Sequence, residues 1–301
     1  MRWMAKALVH KAVGWLPWRD DLNYLLQRRV THSLPVDEAT FLERSENAFR
    51  HLNAFRQHAQ VAPAEARFFE FGAGWDLEIP LILAAAGVGH QMVIDRRRLL
   101  RYELVTHNIG QLRAIEQELG ERNGWTLRLP ETSADPRAAL EELGIDYRVM
   151  DVARTPFADG SFSFVHSTWT ASHIPEEKLV SVFAECRRVL APGGVISCAI
   201  ELRDNFSAFD PSISLYHYLS YSKRQWAWFD SNLLAQNRLR ADDFYRVFEA
   251  AGLELLEVEE VRPPEEYWRK ELGKLELAEP FRGVPLERLA VTVIYVVLRK
   301  K

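Results

Sequence analysis

The 301-residue chain reads as an α/β protein built on a parallel sheet with helices on both faces. Three observations predict this. From residue 66 onward, short apolar runs alternate with longer segments of helical periodicity. The first of those runs ends in glycine and leads straight into a helical segment. The last, LAVTVIYVVLRK, is too apolar to be anything but a buried strand. No fixed-period repeat or low-complexity tract interrupts the pattern.

Residues 1–60 carry helical spacing. Trp3, Met4, Ala7, Leu8 and Trp15 mark a first segment. Phe41, Leu42, Ala48, Phe49, Leu52 and Phe55 form the stripe of a second, from about Asp37 to His58. ARFFEFG (66–72) is the first strand. DLEIPLILAAA (76–86) is a helix opened by an acid and stopped by Gly87, with Pro80 tolerable only near its first turn. QMVID (91–95) is the second strand. Residues 98–122 form a long helix with Leu99, Leu100, Leu104, Val105, Ile109 and Leu112 on one side. Residues 123–136, with Asn-Gly and two prolines, are a loop. PRAALEEL is a short helix before IDYRVMD, the third strand, and SFSFVHS (161–167) is the fourth. Residues 176–190 are a helix closed by APGG before VISCAIEL, the fifth strand. Residues 241–251 are a helix stopped by Gly252 before LELLEVEEV. The expected organisation is a helical extension over 1–60, packed on a core domain over 61–301.

Composition excludes several classes. Apolar residues are 48% and charged residues 27%, enough for a sizeable core without staples. The net charge of −4 argues against a nucleic-acid-coating protein, and no nucleic-acid partner is expected. Cys186 and Cys198 are too few for a disulfide scaffold and form no CxxC pair for zinc; no metal is expected. No run of about 18 apolar residues is present to span a bilayer. Lys6, His10 and Lys11 interrupt the apolar N-terminus and no clean cleavage site follows, so the segment reads as mature protein in a reducing cytoplasm. Residues 1–19 carry Arg2, Lys6, Lys11 and Arg19 and no acid. Such a helix can make weak contact with an anionic membrane surface; packing on its own domain is the preferred reading.

Four segments bear chemistry. Glu70-Phe71-Gly72-Ala73-Gly74-Trp75-Asp76 lies between a strand and a helix, where glycines let a ligand approach the backbone and free the helix amides. A nicotinamide fingerprint needs a third glycine at position 77, which is Leu77. Asp95 closes the second strand, 25 residues after Glu70. It can accept hydrogen bonds from both hydroxyls of a ribose, or simply cap the chain before Arg96-Arg97-Arg98. Asp151 closes the third strand and can meet an adenine amine, with Val152 supplying an amide and apolar contact; the alternative is a solvated loop acid. The fourth is Thr155 to Val165, followed by the Ala191-Pro192-Gly193-Gly194 turn.

With these elements in order, residues 66–200 resemble the class I S-adenosylmethionine-dependent methyltransferases of the broad type 11 kind. The resemblance rests on E-x-G-x-G at Glu70–Gly74, acids at Asp95 and Asp151, PFADGSF at 156–162 and RRVLAPGG at 187–194. It implies a Rossmann-like, mostly parallel sheet with an antiparallel last strand. It implies S-adenosylmethionine as cofactor, with S-adenosylhomocysteine as product, held by Glu70, Gly72, Ala73, Gly74, Asp95, Arg96, Asp151, Val152 and Ser167. Ser163 departs from the family's usual Asp, and Asp76 from its usual small residue. The donor methyl is already activated, so alignment is the protein's main task. An oxygen acceptor also gains from a general base. His173, in SHIPEE, matches a histidine common in the family, and His166 ends the fourth strand; each can equally be a packed structural histidine.

Residues 206–229 hold eight aromatics, against 11% aromatics in the whole chain. They lie within 202–240, where the family places a substrate-covering insertion. Tyr216, His217 and Tyr218 are the expected substrate contacts, with Arg238 for an anionic group; the alternatives are a hydrophobic mini-core and ordinary surface charge. A looser likeness to methyltransferases of bacterial glycan building suggests O-methylation of a small-molecule or carbohydrate acceptor. The competing expectations are a nicotinamide-dependent oxidoreductase and a non-catalytic protein that retains the pocket.

Overall fold

Seven strands make one sheet: β1 (Arg67–Phe71), β2 (His90–Asp95), β3 (Ile145–Val149), β4 (Phe162–Thr168), β5 (Leu190–Glu201), β6 (Leu253–Val261) and β7 (Val293–Lys300). They are arranged in the order β3-β2-β1-β4-β5-β7-β6 in this computed structural model, which describes residues 2–59 and 61–301. Met1 and Gln60, the outer residues of the expected extension, lie outside the described residues. β1 pairs in parallel with β2 and β4, β2 with β3, and β4 with β5, whereas β7 runs antiparallel between β5 and β6. This is the strand order and the single reversal of the Rossmann-like methyltransferase sheet.

Alternation along β1 builds two cores. Phe68 faces Phe55 of α3 (Glu38–His58) and Phe164 of β4, at ring separations of 4.8 and 4.7 Å. α4 (Glu78–Ala85), α5 (Tyr102–Asn123) and α6 (Pro136–Glu142) complete that layer. Phe69 and Phe71 point the other way, toward Phe183 of α7 (Glu176–Val189) and, beyond it, Phe248 of α9 (Ala241–Ala250). Local signals set the helix ends. The Asp37 side chain accepts the Thr40 N–H at 2.9 Å to start α3, and Gly124, at φ +68°, ends α5.

Several boundaries differ from the sequence reading. The helix after the glycine turn starts at Glu78 rather than at residue 76, and α5 starts at Tyr102 rather than at 98; Leu99 and Leu100 are buried from a loop. The APGG segment belongs to β5 itself. Phe162 pairs with Leu190 but Phe164 with Val195, so the extra residues bulge from the ladder. The N-terminus holds two helices before α3, namely α1 (Arg2–Val13) and α2 (Arg19–Arg29). α2, RDDLNYLLQRR, buries only Tyr24, so it has no stripe to announce it.

A third core lies outside the sheet. It joins Trp3 and Ala7 of α1 to Phe206, Tyr216, Tyr218 and Leu219 of the insertion. It also takes in Trp226 of α8 (Lys223–Trp226), Trp268 of α10 (Glu265–Gly273) and Leu289 of α11 (Leu286–Leu289). Arg240 pins this core to the sheet. Its buried guanidinium donates to the Leu202 carbonyl at 2.6 Å and the Leu289 carbonyl at 2.7 Å, and also to the Val291 carbonyl and the Tyr218 hydroxyl. Arg240→Met takes the guanidinium from the Leu289 and Val291 carbonyls and leaves Leu202 with the Tyr218 hydroxyl alone, and is expected to lower stability by about 3 kcal/mol in denaturant titration. Arg240→Lys should not restore it, because an ammonium cannot fork across three carbonyls on two segments. Wild-type midpoints for both variants would contradict this role.

Candidate functional site

The site begins where β1 ends. The Gly72 and Ala73 N–H groups both donate to the Ile94 carbonyl, at 2.8 and 3.1 Å, which ties the turn to the tip of β2. Gly74 N–H donates to Asp95 Oδ2 at 3.3 Å, and Arg97 N–H to Asp95 Oδ1 at 3.0 Å. Ser167 Oγ donates to the Phe71 carbonyl at 2.9 Å and closes the β4 side. Gly72 has φ +89°, and a Cβ there would fall 1.9 Å from Thr170 Oγ1. A Cβ on Gly74, at φ +67°, would meet nothing within 4 Å. That open space is part of a cavity of about 500 Å³ over the carboxyl ends of the first four strands.

Gly72, Gly74, Asp95, Arg96, Asp151, Val152 and His173 line this cavity together. Glu70, Ala73, Ser167 and His166 do not. Ser167 braces β1, and Glu70 and His166 point into the α3 layer behind the turn. The sequence reading missed several walls: Trp75, Thr170 and Lys178, Arg19 at the start of α2, and residues 232–235 of the insertion. Lys178 Nζ stands 3.9 Å from Asp151. Arg19 and residues 232–235 carried no motif, since they reach the cavity only through the fold.

A second cavity, of about 600 Å³, shares His173, Ile174, Pro175 and Ala235 with the first. His173 Nδ1 lies 2.6 Å from the Ala235 carbonyl. A carbonyl can only accept, so Nδ1 carries a hydrogen, and the lone pair of a neutral ring lies on Nε2. Trp226, Arg238 and Phe281 form the far wall. Arg238 has φ +62°, and its Nη1 donates to the Tyr218 and Tyr221 carbonyls. The neighbouring Asn237 side chain donates to the Ala171 and Ile174 carbonyls, at 2.9 Å each, fixing the insertion to the segment after β4.

Three expected substrate contacts are placed elsewhere. Tyr216 and Tyr218 are fully buried, with hydroxyls donated to the Ala290 carbonyl (3.0 Å) and the Leu202 carbonyl (2.8 Å). His217 packs on Trp3 and lies 3.3 Å from Asp204. None of the three lines either cavity; they form the mini-core of the insertion. His166 is likewise corrected as a base candidate. Its ring packs between Phe68, Phe164 and His51, and burial holds it well below the ordinary histidine range, hence neutral.

Carboxyls gather behind the turn. Burial raises Glu70 to about 8, with Asp76 and Asp95 adding to the shift. Glu78 is raised to about 9 by burial and then by Asp76. Burial raises Asp76 and Asp95 as well, and Arg44, 3.6 Å from Asp76, offsets part of the shift there. Glu70 Oε2 is buried without a partner among the described residues. A cation entering the cavity would relieve this crowding. Among the described residues, no cluster of His, Cys, Asp and Glu has the makings of a metal site.

Residues 126–198 match a family described as a methyltransferase domain. No curated protein matches the chain. Among solved structures, it is similar to a geranyl diphosphate C-methyltransferase from Streptomyces coelicolor A3(2), at 12% identity over 89% of this chain and 86% of that chain, with a TM-score of 0.48. It is also similar to an S-adenosylmethionine-dependent methyltransferase from Mesorhizobium loti, at 15% identity over 83% of this chain and 98% of that chain, with a TM-score of 0.45.

The raised carboxyls make stability depend on pH. Glu70 ionises near 4.5 when unfolded but only near 8 when folded. Its contribution is therefore fully present below 4.5 and is lost as pH rises through about 8. Glu70→Gln removes this dependence. Its thermal midpoint should fall less steeply than that of the wild type across this window, leaving the variant the more stable above about 8. Parallel curves would show that Glu70 ionises freely in the folded chain.

Proposed function

We propose that this chain is an S-adenosylmethionine-dependent methyltransferase acting on a small-molecule or glycan acceptor, with oxygen as the receiving atom. The observation that carries the reading is the meeting of Gly72, Gly74, Asp95, Asp151 and Val152 from three strand ends in one cavity. The methyltransferase-domain match over 126–198 and the strand order support it. Leu77 occupies the third-glycine position of a nicotinamide fingerprint, at φ +54° and buried, which counts against the oxidoreductase alternative.

The residues fit the cofactor. Asp95 accepts two backbone N–H groups, which leaves lone pairs for the ribose hydroxyls. Asp151 and Val152 would meet the adenine. The bare turn at Gly72–Gly74 would face the cationic methionine end. When bound, the cofactor supplies a methyl group on a positively charged sulfur.

His173 would accept the proton of the acceptor hydroxyl at Nε2, since the Ala235 carbonyl holds Nδ1 as the donor. The cavity walled by Trp226, Arg238 and Phe281 would seat the acceptor, and the insertion over 202–240 would act as its cap. The same proposal puts the chain in the cytoplasm, where the free Cys186 and Cys198 stay reduced.

Calorimetry with S-adenosylhomocysteine tests the nucleoside assignment: Asp95→Ala should weaken binding by roughly tenfold or more, and unchanged affinity rejects the ribose role. In a tritiated-methyl assay over a panel of glycans and small hydroxylated molecules, His173→Ala should lower turnover by about 100-fold and leave S-adenosylhomocysteine affinity as it was. Turnover at the wild-type rate removes His173 as the base.

A further inference from the structure

We propose that α1 and the adjoining tip of the insertion form a docking face that seats this chain on an anionic lipid surface. α1 buries Trp3 and Ala7 in the insertion core, and the Trp3 N–H donates to Asp210 at 3.0 Å. Its outward side is apolar. Between residues 3 and 18, the exposed positions are Met4, Ala5, Leu8, Val9, Ala12, Trp15, Pro17 and Trp18, and none of them is polar. Trp15 and Trp18 are 78% and 61% exposed. The patch continues onto the insertion at Phe209 and Trp228, which are 46% and 69% exposed. Lys6 lies over the Phe209 ring, and Lys11 Nζ donates to the Ala227 carbonyl at 2.6 Å and the Trp228 carbonyl at 3.2 Å, so helix and insertion present one surface.

An exposed apolar surface of this extent marks an interaction site. Charge selects the occupant. The first 19 residues hold four of the 38 Lys and Arg residues and none of the 42 acids, so they are +4 on a remainder of −8. The cations flank the apolar arc: Arg2 stands three residues before Ala5, and Lys11 three after Leu8, on the two sides of the stripe. Apolar side chains and indoles between flanking Lys and Arg suit the boundary between headgroups and acyl chains of an anionic leaflet. Arg19, directly after Trp18, and Asn232, four residues after Trp228, both line the cofactor cavity, so docking sets that cavity beside the bilayer. The docking face does not depend on the chemistry assigned to the cavity.

Flotation of the full chain with vesicles tests this. The chain should float with an equal mixture of phosphatidylcholine and phosphatidylglycerol, far less with phosphatidylcholine alone, and less in high salt. The triple variant Leu8→Gln, Trp15→Ser, Trp18→Ser alters exposed residues only. It should lower the bound fraction by roughly tenfold with an unchanged thermal midpoint, and Trp228→Ser alone should lower it several-fold. The proposal is overturned by failure to float with the anionic vesicles, by equal flotation of the triple variant, or by equal binding to neutral vesicles. A concentration-dependent dimer in velocity sedimentation, abolished by the triple variant in a chain that binds no vesicle, would overturn it in favour of self-association.

Discussion

Between Phe71 at the end of β1 and Thr170 beyond β4 there is room for a backbone and nothing more. Thr170 Oγ1 donates back to the Thr168 carbonyl at 3.1 Å, which holds that side chain against Gly72. The close approach occurs where the sheet order changes direction, with β1 bonded to β2 on one side and β4 on the other. It forces the turn into positive φ and aims the Gly74 amide at Asp95. The strain extends to Leu77 at φ +54°, which is held there by complete burial in the α3 layer. The bare wall of the cavity, the orientation of Asp95 and the start of α4 all follow from this contact.

The same turn separates two electrostatic environments. Behind it, Glu70, Asp76 and Glu78 are buried together, while His51, between Ser197 and Thr168, is lowered to about 3 by burial and stays neutral. In front, His173 has one nitrogen fixed by a carbonyl and the other free at the junction of two cavities. His166 and His173, seven residues apart, thus lie in different settings. His166 sits inside β4 with its side chain in the core, and His173 in the irregular segment after it, where side chains reach the strand ends.

The sheet and the strand-tip side of the cavity were legible because they depend on local signals. Apolar runs ending in glycine or aspartate announced β1, β2 and β3, and their tips carry Gly72, Asp95 and Asp151. The insertion was not legible in the same way. Aromatic enrichment is identical whether rings face a ligand or each other, so Tyr216 and Tyr218 read as contacts although their hydroxyls serve backbone carbonyls. Arg238 and Arg240 looked alike in sequence. One walls a cavity and the other clamps the Leu202 carbonyl just after β5 and carbonyls on the approach to β7, a difference fixed by partners about 15 to 50 residues away. α2 lacked a stripe, and the apolar outer face of α1 is indistinguishable in sequence from one that packs on a core.

Arg19 of α2 and a loop after β5 help to wall the cavity that the strand ends open, and His173 stands where that cavity meets the second. The most direct measurement is a crystal structure of the chain with S-adenosylhomocysteine. The ribose hydroxyls are expected within hydrogen-bonding distance of the Asp95 carboxylate, with the adenine at Asp151 and Val152 and the methionine end over Gly72–Gly74. A nucleoside bound away from the glycine turn, or an Asp95 carboxylate still held only by backbone amides beside it, would contradict the central claim.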